Sequence, residues 1–125
     1  MSDGPLHGVV VAHGELAAAL VAETERISGR IGVLRAVSNS DCGREEIEQR
    51  VADAVGQDPA VIFVDMPCGS CFMAAMRVGR LRPDVRVVTG VNLPMLLDFV
   101  NQQSLPPAES AGRAAGKGAD AIRQG

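Results

Sequence analysis

The segment VIFVDMPCGSCFMAAM, residues 61 to 76, concentrates several side chains that could carry chemistry. An apolar run ends at Asp65, and a turn with Cys68, Gly69, Ser70 and Cys71 leads into a helical pattern. Such a turn could be a redox dithiol, a metal clip or a cradle for a phosphate. The elements on either side of the turn must decide among these three kinds of site.

Four short Val-rich runs alternate with amphipathic patterns along the chain. The runs LHGVVVAH, VLRAVS, AVIFVDM and VRVVTGV are too short for helices and predict strands. Strands that alternate with helices imply a mainly parallel sheet covered on both faces. We therefore predict a doubly wound α/β fold with the sheet order 2-1-3-4 and helices on both faces. A chain of 125 residues is the size of one domain, so we expect residues 1–125 to form a single domain.

The helical patterns predict which residues face the core. Three of them have an apolar face, formed by Leu16, Leu20 and Ile27 in the first, by Ile47, Val51 and Val55 in the second, and by Phe72, Ala75, Met76 and Gly79 in the third. A fourth helix is predicted to begin at Asn92 as N-cap, with Pro94 in its first turn. The last segment, PAESAGRAAGKGADAIRQG, looks helical, but its three interior glycines predict a marginal and frayed helix.

In doubly wound sheets, ligands bind beyond the carboxyl ends of the strands. His13 ends the first strand and Asp65 ends the third, and these strands are neighbours in the predicted order. A carboxylate that accepts from one imidazole nitrogen fixes the tautomer and leaves the other nitrogen free to attack or to accept a proton. The pair His13 and Asp65 is therefore predicted to be catalytic.

The turn beyond Asp65 predicts an anion site next to this pair. Gly69 and Ser70 stand at the start of a helix, where free N–H groups and the helix dipole attract an anion. A nucleophilic histidine beside a phosphate-binding turn indicates phosphoryl transfer through a phosphohistidine, with Gly69 and Ser70 binding the phosphate. Neither a cofactor nor a metal is needed for this chemistry.

Composition excludes several partners. The net charge is -3, and only 2% of the residues are aromatic, with no Trp or Tyr, so a basic stripe and a base-stacking platform for nucleic acid are both missing. No apolar run approaches the roughly 20 residues that cross a bilayer, and the N-terminus has no secretory pattern. We expect a cytoplasmic protein without direct membrane insertion, in which the three cysteines stay reduced.

Three phrases of the chain resemble a known family. GVVVAHGELAAAL, VIFVDMPCGSCFMAA and especially VTGVNLPMLLDF resemble the IIA component of the mannose family of the sugar phosphotransferase system (PTS), in the same order over residues 8 to 100. The phosphotransferase subunit that serves dihydroxyacetone kinase is a related possibility, but the VNLPML phrase favours the mannose-type branch. The resemblance implies the doubly wound fold that the strand and helix pattern predicts independently.

The resemblance also implies roles and partners. In that family the histidine of the first phrase accepts a phosphoryl group on Nε2 from phospho-HPr and passes it to a IIB component, and this role falls on His13. The family's aspartate, which holds the other nitrogen, falls on Asp65, and the serine of its Gly-Gly-Ser-Pro turn falls on Ser70. Members are usually dimers with an exchanged C-terminal strand. This chain has no clear apolar strand after its last helix, which leaves homodimerisation through other surfaces as the open alternative.

The phosphate turn departs from the family pattern because one Gly and the Pro are replaced by Cys68 and Cys71. A strand, a turn and Cys-x-x-Cys before a helix also resemble a thioredoxin-like redox site, although thioredoxins place the first cysteine further from the strand's aspartate. The pair is thus a candidate redox switch, and the alternative function is a regulatory or redox-sensing protein without a transport role. A metal site formed by both thiols and His13, with Asp65 as fourth ligand, is a further alternative, and small buried side chains are the simplest one.

Two further groups of residues are interpreted without a function. His7 precedes the first strand and is predicted to be exposed. The arginines around the third helix and fourth strand are predicted to form a solvated face; they are Arg77, Arg80, Arg82 and Arg86.

Overall fold

A four-stranded parallel sheet forms the centre of the computed structural model, which describes residues 4–125. The strands are β1 (His7–Ala12), β2 (Leu34–Ser38), β3 (Ala60–Val64) and β4 (Val85–Thr89). Their order is β2-β1-β3-β4, and each neighbouring pair is parallel. The predicted sheet order is confirmed.

Helices cover both faces of this sheet. Within the described residues they are α1 (Leu16–Ser28), α2 (Arg44–Val55), α3 (Gly69–Arg80), α4 (Leu93–Val100) and α5 (Pro107–Asp120). Successive side chains of a strand point to opposite faces, so each inner strand contributes to two cores. Val10 and Phe63 pack in the core that includes residues of α1, α4 and α5, whereas Val9 and Ile62 pack in the core with α2 and α3. The fold class is the predicted one.

Two of the predicted helix faces differ from those in the structure. In α1 the fully buried residues are Ala17 and Thr24, and the predicted Leu20 packs partly buried against the core. Leu16 and Ile27, the other two residues of the predicted face, are 45% and 53% exposed. In α3 the buried face is shifted by one position and consists of Cys71, Ala74, Ala75 and Val78. The physical reason is that both helices pack small side chains against the sheet, which brings the backbones close and leaves larger residues at the margin. The α2 face of Ile47, Val51 and Val55 is confirmed.

The two C-terminal helices pack against each other through glycine and asparagine. The N-cap of α4 is Asn92, as predicted, and its side-chain oxygen accepts from the N–H of Met95 at 3.0 Å. A Cβ at Gly118 would lie 2.7 Å from Cε of Met95, so this glycine permits the close approach of α5. The structure has one continuous helix where we expected a frayed one, because contacts with α4 offset the weak helix propensity of glycine.

Arg82 does not belong to a solvated arginine face, contrary to our prediction. Its guanidinium forms a short ion pair with Asp84, with Nε 2.9 Å from Oδ1. It also donates to the main-chain carbonyls of three consecutive residues that join α2 to β3: Gly56, Gln57 and Asp58. Arg82 therefore ties the amino-terminal ends of β3 and β4 together, opposite the edge where the predicted site lies.

His7 is the other residue whose predicted exposure is wrong. It lies inside β1 and is only 6% exposed, because β1 begins one residue after Leu6, which is itself a core residue. Its Nε2 lies 3.2 Å from the carbonyl oxygen of Ala54, and its Nδ1 is buried without a hydrogen-bond partner among residues 4–125. Burial, and secondarily the charge of Arg35, lower the pKa of His7 below 6.5.

This lowered pKa predicts a pH-dependent stability. Between the lower folded value and 6.5 the unfolded chain binds more protons than the folded chain at His7, so the free energy of unfolding falls as the pH falls through that window. Urea unfolding midpoints, measured from about pH 5 to pH 8, check this. We expect His7→Gln to flatten the dependence and His13→Ala to retain it. Asp65, whose pKa is also lowered, affects stability only in a more acidic window, near and below 3.8.

Candidate functional site

The carboxyl edge of the sheet brings His13 and Asp65 together, as the sequence predicted. β1 and β3 are hydrogen-bonded neighbours in which Val11 is aligned with Val64. His13 is the first residue after β1, and Asp65 is the first residue after β3. The two buried strands therefore end side by side, and both side chains lie in the same crevice.

The side chains of His13 and Asp65 form a short hydrogen bond. Nδ1 of His13 is 2.7 Å from Oδ2 of Asp65, and the main-chain N–H of His13 donates to the same oxygen at 3.0 Å. The N–H of Met66 donates to Oδ1 at 2.9 Å, so both carboxylate oxygens are held. An ionised carboxylate can only accept hydrogen bonds, so Nδ1 of His13 carries the proton in this contact. Nε2 of His13 then keeps its lone pair and has no hydrogen-bond partner among the described residues.

The carboxylate of Asp65 stays ionised in this setting. Partial burial by itself would raise the pKa of Asp65, but the hydrogen bonds from the imidazole and main chain of His13 outweigh it, with a further contribution from Met66. The pKa of Asp65 consequently lies below its usual value. The aspartate side chain is 9% exposed while that of His13 is 43% exposed, so the negative charge is shielded and the imidazole is accessible to solvent.

The loop after His13 is supported by β2, which the sequence analysis did not include in the site. The N–H of Gly14 donates to Oδ1 of Asn39 at 3.2 Å, and its carbonyl accepts from Oγ of Ser38 at 2.8 Å. Both residues stand at the carboxyl end of β2, next to β1 in the predicted order, and this position is the signal that could have identified them.

Gly69 and Ser70 form the first turn of α3 beside the imidazole. Gly69 has φ +90°, a conformation that residues with a Cβ rarely adopt, and a Cβ there would lie 4.0 Å from Cε1 of His13. The preceding residue, Cys68, is extended and provides no side-chain cap for the helix. The first N–H groups of a helix have no intrahelical partner, so this turn presents donors close to the histidine.

The two cysteines of the turn occupy different environments. Cys68 is exposed and Cys71 is buried, and both are free thiols. Sγ of Cys71 lies 3.9 Å from Nδ1 of His13. Burial, followed by the negative charge of Asp65, raises the pKa of the Cys71 thiol to about 11, although a hydrogen bond with Ser70 opposes this. The raised pKa makes the Cys71 thiol a poor nucleophile near neutral pH.

Three exposed apolar side chains lie within three positions of site residues along the chain. Met66 is 43% exposed, Met73 is 49% exposed, and Leu16 at the start of α1 is 45% exposed. They lie close in sequence to Asp65, Ser70 and His13 respectively. Within the described part of the chain, no helix has the length and apolar character that a membrane span requires.

Comparisons of the sequence with known proteins identify one family. The EIIA-man family model, described as the PTS system fructose IIA component, matches residues 8–114. The PTS system sorbose-specific EIIA component of Klebsiella pneumoniae is 30% identical over 101 residues, which are 78% of this chain and 75% of that protein.

Solved structures share the fold. The phosphotransferase system component EIIA from Streptococcus agalactiae superposes with a TM-score of 0.87 at 15% identity, covering 95% of this chain and 96% of that one. The mannose/sorbose specific IIA subunit from Enterococcus faecalis gives a TM-score of 0.82 at 22% identity, covering 97% and 95% of the two chains.

Proposed function

We propose that this chain, which belongs to the mannose family of IIA components of the sugar phosphotransferase system, is a phosphohistidine carrier. His13 accepts a phosphoryl group from phospho-HPr and passes it to a IIB component during sugar uptake. The observation that carries the proposal is the 2.7 Å contact between Nδ1 of His13 and Asp65, which leaves Nε2 as the free nucleophile.

The transfer step follows from that contact. The lone pair of Nε2 attacks phosphorus, and the bond between phosphorus and the donor breaks with its electron pair remaining on the donor. The proton on Nδ1 stays in place, so the ring becomes cationic as the new N–P bond forms. The adjacent carboxylate of Asp65 stabilises that positive charge and holds the ring in the attacking orientation.

The first turn of α3 binds the phosphoryl oxygens in this proposal. Charge on those oxygens is best stabilised by donors that are already oriented, such as N–H groups of a helix N-terminus. Gly69 allows the main chain to approach the imidazole closely, and Ser70 adds a hydroxyl donor. Cys71, in place of the family's proline, provides one further main-chain N–H.

Loss of the Ser70 hydroxyl should weaken phosphoryl acceptance without abolishing it. A hydrogen bond to a charged oxygen contributes about 1.5 to 3 kcal/mol, so Ser70→Ala should slow transfer by about 10- to 160-fold. Quenched-flow transfer from phospho-HPr measures the rate. Ser104→Ala, which alters an exposed serine between α4 and α5, is the matched control. An unchanged rate in Ser70→Ala would remove Ser70 from the phosphate site.

Both proposed partners are proteins, and exposed apolar side chains close in sequence to the site residues suit protein docking. Met66, Met73 and Leu16 are large exposed side chains, each within three positions of Asp65, Ser70 or His13, and His13 must meet the donor and then the acceptor. Flexible methionines adapt to more than one partner surface. Transfer between soluble proteins also fits a cytoplasmic location and a single domain, both of which stay predictions. Homodimerisation is a further prediction, and light scattering of the purified protein measures the oligomeric state that tests it.

A direct test is the intact mass of the reduced protein after incubation with phosphoenolpyruvate, enzyme I and HPr. We expect a gain of one acid-labile phosphoryl group that depends on HPr. Subsequent addition of a IIB component should remove it. A protein that gains no phosphate from demonstrably phosphorylated HPr would contradict the proposal.

The regulatory or redox-sensing alternative has less support. A redox switch would join Cys68 to Cys71. The raised pKa of Cys71 disfavours attack by its thiolate, so the exposed Cys68 would have to be the attacking thiol. Phosphoryl transfer that responds to a reversible oxidant, and does so only with both cysteines present, would favour the alternative.

A further inference from the structure

Three side chains with different metal-binding atoms meet at the carboxyl edge of the sheet. They are the imidazole of His13 after β1, the carboxylate of Asp65 after β3, and the thiol of Cys71 in the first turn of α3. Their ligand atoms all lie within 4.8 Å of one another. Phosphoryl transfer uses the first two, and gives the buried thiol no role.

The spacing of these atoms is close to that of a tetrahedral zinc site. Zn–S and Zn–N bonds of about 2.3 and 2.0 Å place sulfur and nitrogen about 3.5 Å apart, and nitrogen and oxygen about 3.3 Å apart. In the structure Sγ of Cys71 is 3.9 Å from Nδ1 of His13, and Nδ1 is 2.7 Å from Oδ2 of Asp65. Shifts of less than about 1 Å would admit the ion.

We propose that His13 Nδ1, Asp65 and Cys71 Sγ bind a thiophilic divalent cation such as Zn²⁺. A thiolate and an imidazole select such a metal over Mg²⁺ or Ca²⁺, which prefer oxygen ligands. A water molecule or another ligand would complete a tetrahedral set of four. Cys68, which is exposed, is outside the ligand set, and this distinguishes the site from a Cys-x-x-Cys clip.

Metal binding and phosphoryl acceptance exclude each other through the imidazole proton. In the metal-free site that proton is on Nδ1, and the N–H donates a hydrogen bond to Asp65. A cation on Nδ1 takes that lone pair, so the ring proton moves to Nε2, and the thiol proton of Cys71 is released to solvent. Nε2 then has no lone pair for attack on phosphorus. This regulatory consequence rests on the proposed function, whereas metal binding itself does not.

Cobalt titration tests the site independently of phosphoryl transfer. We expect Co²⁺ to bind the reduced protein with one equivalent, to produce thiolate-to-cobalt charge-transfer absorption, and to be displaced by Zn²⁺. Cys71→Ser should abolish that absorption, while Cys68→Ser, the matched control in the same turn, should retain it.

A second variant tests the ligand set even if Cys71→Ser does not fold. His13→Gln leaves the thiol in place and should weaken Co²⁺ affinity by more than about 100-fold, since even an outer-shell partner contributes 10- to 100-fold. Absorption that persists in Cys71→Ser, or that is lost equally in Cys68→Ser, would overturn the proposed ligand set. Absence of any thiolate absorption on saturation with Co²⁺ would also overturn it.

Zinc inhibition tests the regulatory consequence. With preformed phospho-HPr, one equivalent of Zn²⁺ should suppress phosphoryl acceptance by the parent protein, and a chelator should restore it. Transfer to folded Cys71→Ser should be insensitive to the same zinc concentration, which controls for effects on the donor. Equal inhibition of both would overturn the consequence. A parent protein that accepts no phosphate even without zinc would contradict the phosphocarrier function, while the cobalt result would still decide the metal site.

Discussion

His13→Ala should abolish phosphoryl acceptance from phospho-HPr. The substitution removes Nε2, the atom proposed to form the N–P bond, and no neighbouring group can replace it with the same geometry. The fold should survive because the His13 side chain is 43% exposed and its removal opens no core cavity. Intact mass should show one acid-labile phosphoryl group on the parent protein and none on the variant.

The second histidine of the chain provides the control for this experiment. The chain has two histidines, and His7 is buried in β1, away from the carboxyl edge. His7→Gln should therefore accept phosphate like the parent, provided that its circular dichroism shows a folded protein. Phosphorus NMR of the parent should place the group on Nε2. Phosphate still gained by His13→Ala would refute the assignment and direct attention to Ser70 and Cys71.

Asp65→Asn should slow phosphoryl acceptance by up to about 10⁴-fold, the loss seen when the carboxylate that orients a catalytic histidine is replaced by an amide. Oδ2 accepts from both the ring and the main chain of His13, and Oδ1 accepts from Met66. An amide has only one carbonyl oxygen, so it either loses the bond from Met66 or turns its NH₂ group toward His13 and favours the wrong tautomer. In both arrangements the negative charge that stabilises the cationic ring is lost.

The tautomer of His13 distinguishes an orienting role of Asp65 from a purely structural one, because only the orienting role predicts a change of tautomer in the variant. Nitrogen NMR of the imidazole should show the proton on Nδ1 in the parent protein and a changed tautomer ratio in Asp65→Asn. Asp53→Asn, which alters an exposed aspartate on α2, should change neither the rate nor the tautomer. Transfer at the parental rate by Asp65→Asn would show that the carboxylate only supports the loop.

The sequence by itself determined the architecture and the two central residues of the candidate site. Val-rich runs that alternate with amphipathic patterns report local periodicity, and parallel strands joined by helices allow few arrangements, so the order β2-β1-β3-β4 could be predicted. The meeting of His13 with Asp65 follows from that order, because adjacent parallel strands end at the same edge. Asn92 as N-cap is equally local, since its side chain bonds a residue three positions away.

Only the tertiary structure decided which faces are buried and what else reaches the site. Leu16 is exposed while Thr24 is buried, because packing distance against the sheet determines the buried face, and hydrophobicity alone does not report that distance. The bracing of Gly14 by Ser38 and Asn39 joins residues far apart in sequence. The same is true of the 3.9 Å approach of Cys71 to His13, across 58 positions of the chain. Such contacts depend on how helices and strands pack, and local sequence patterns carry no information about the distance between two such side chains.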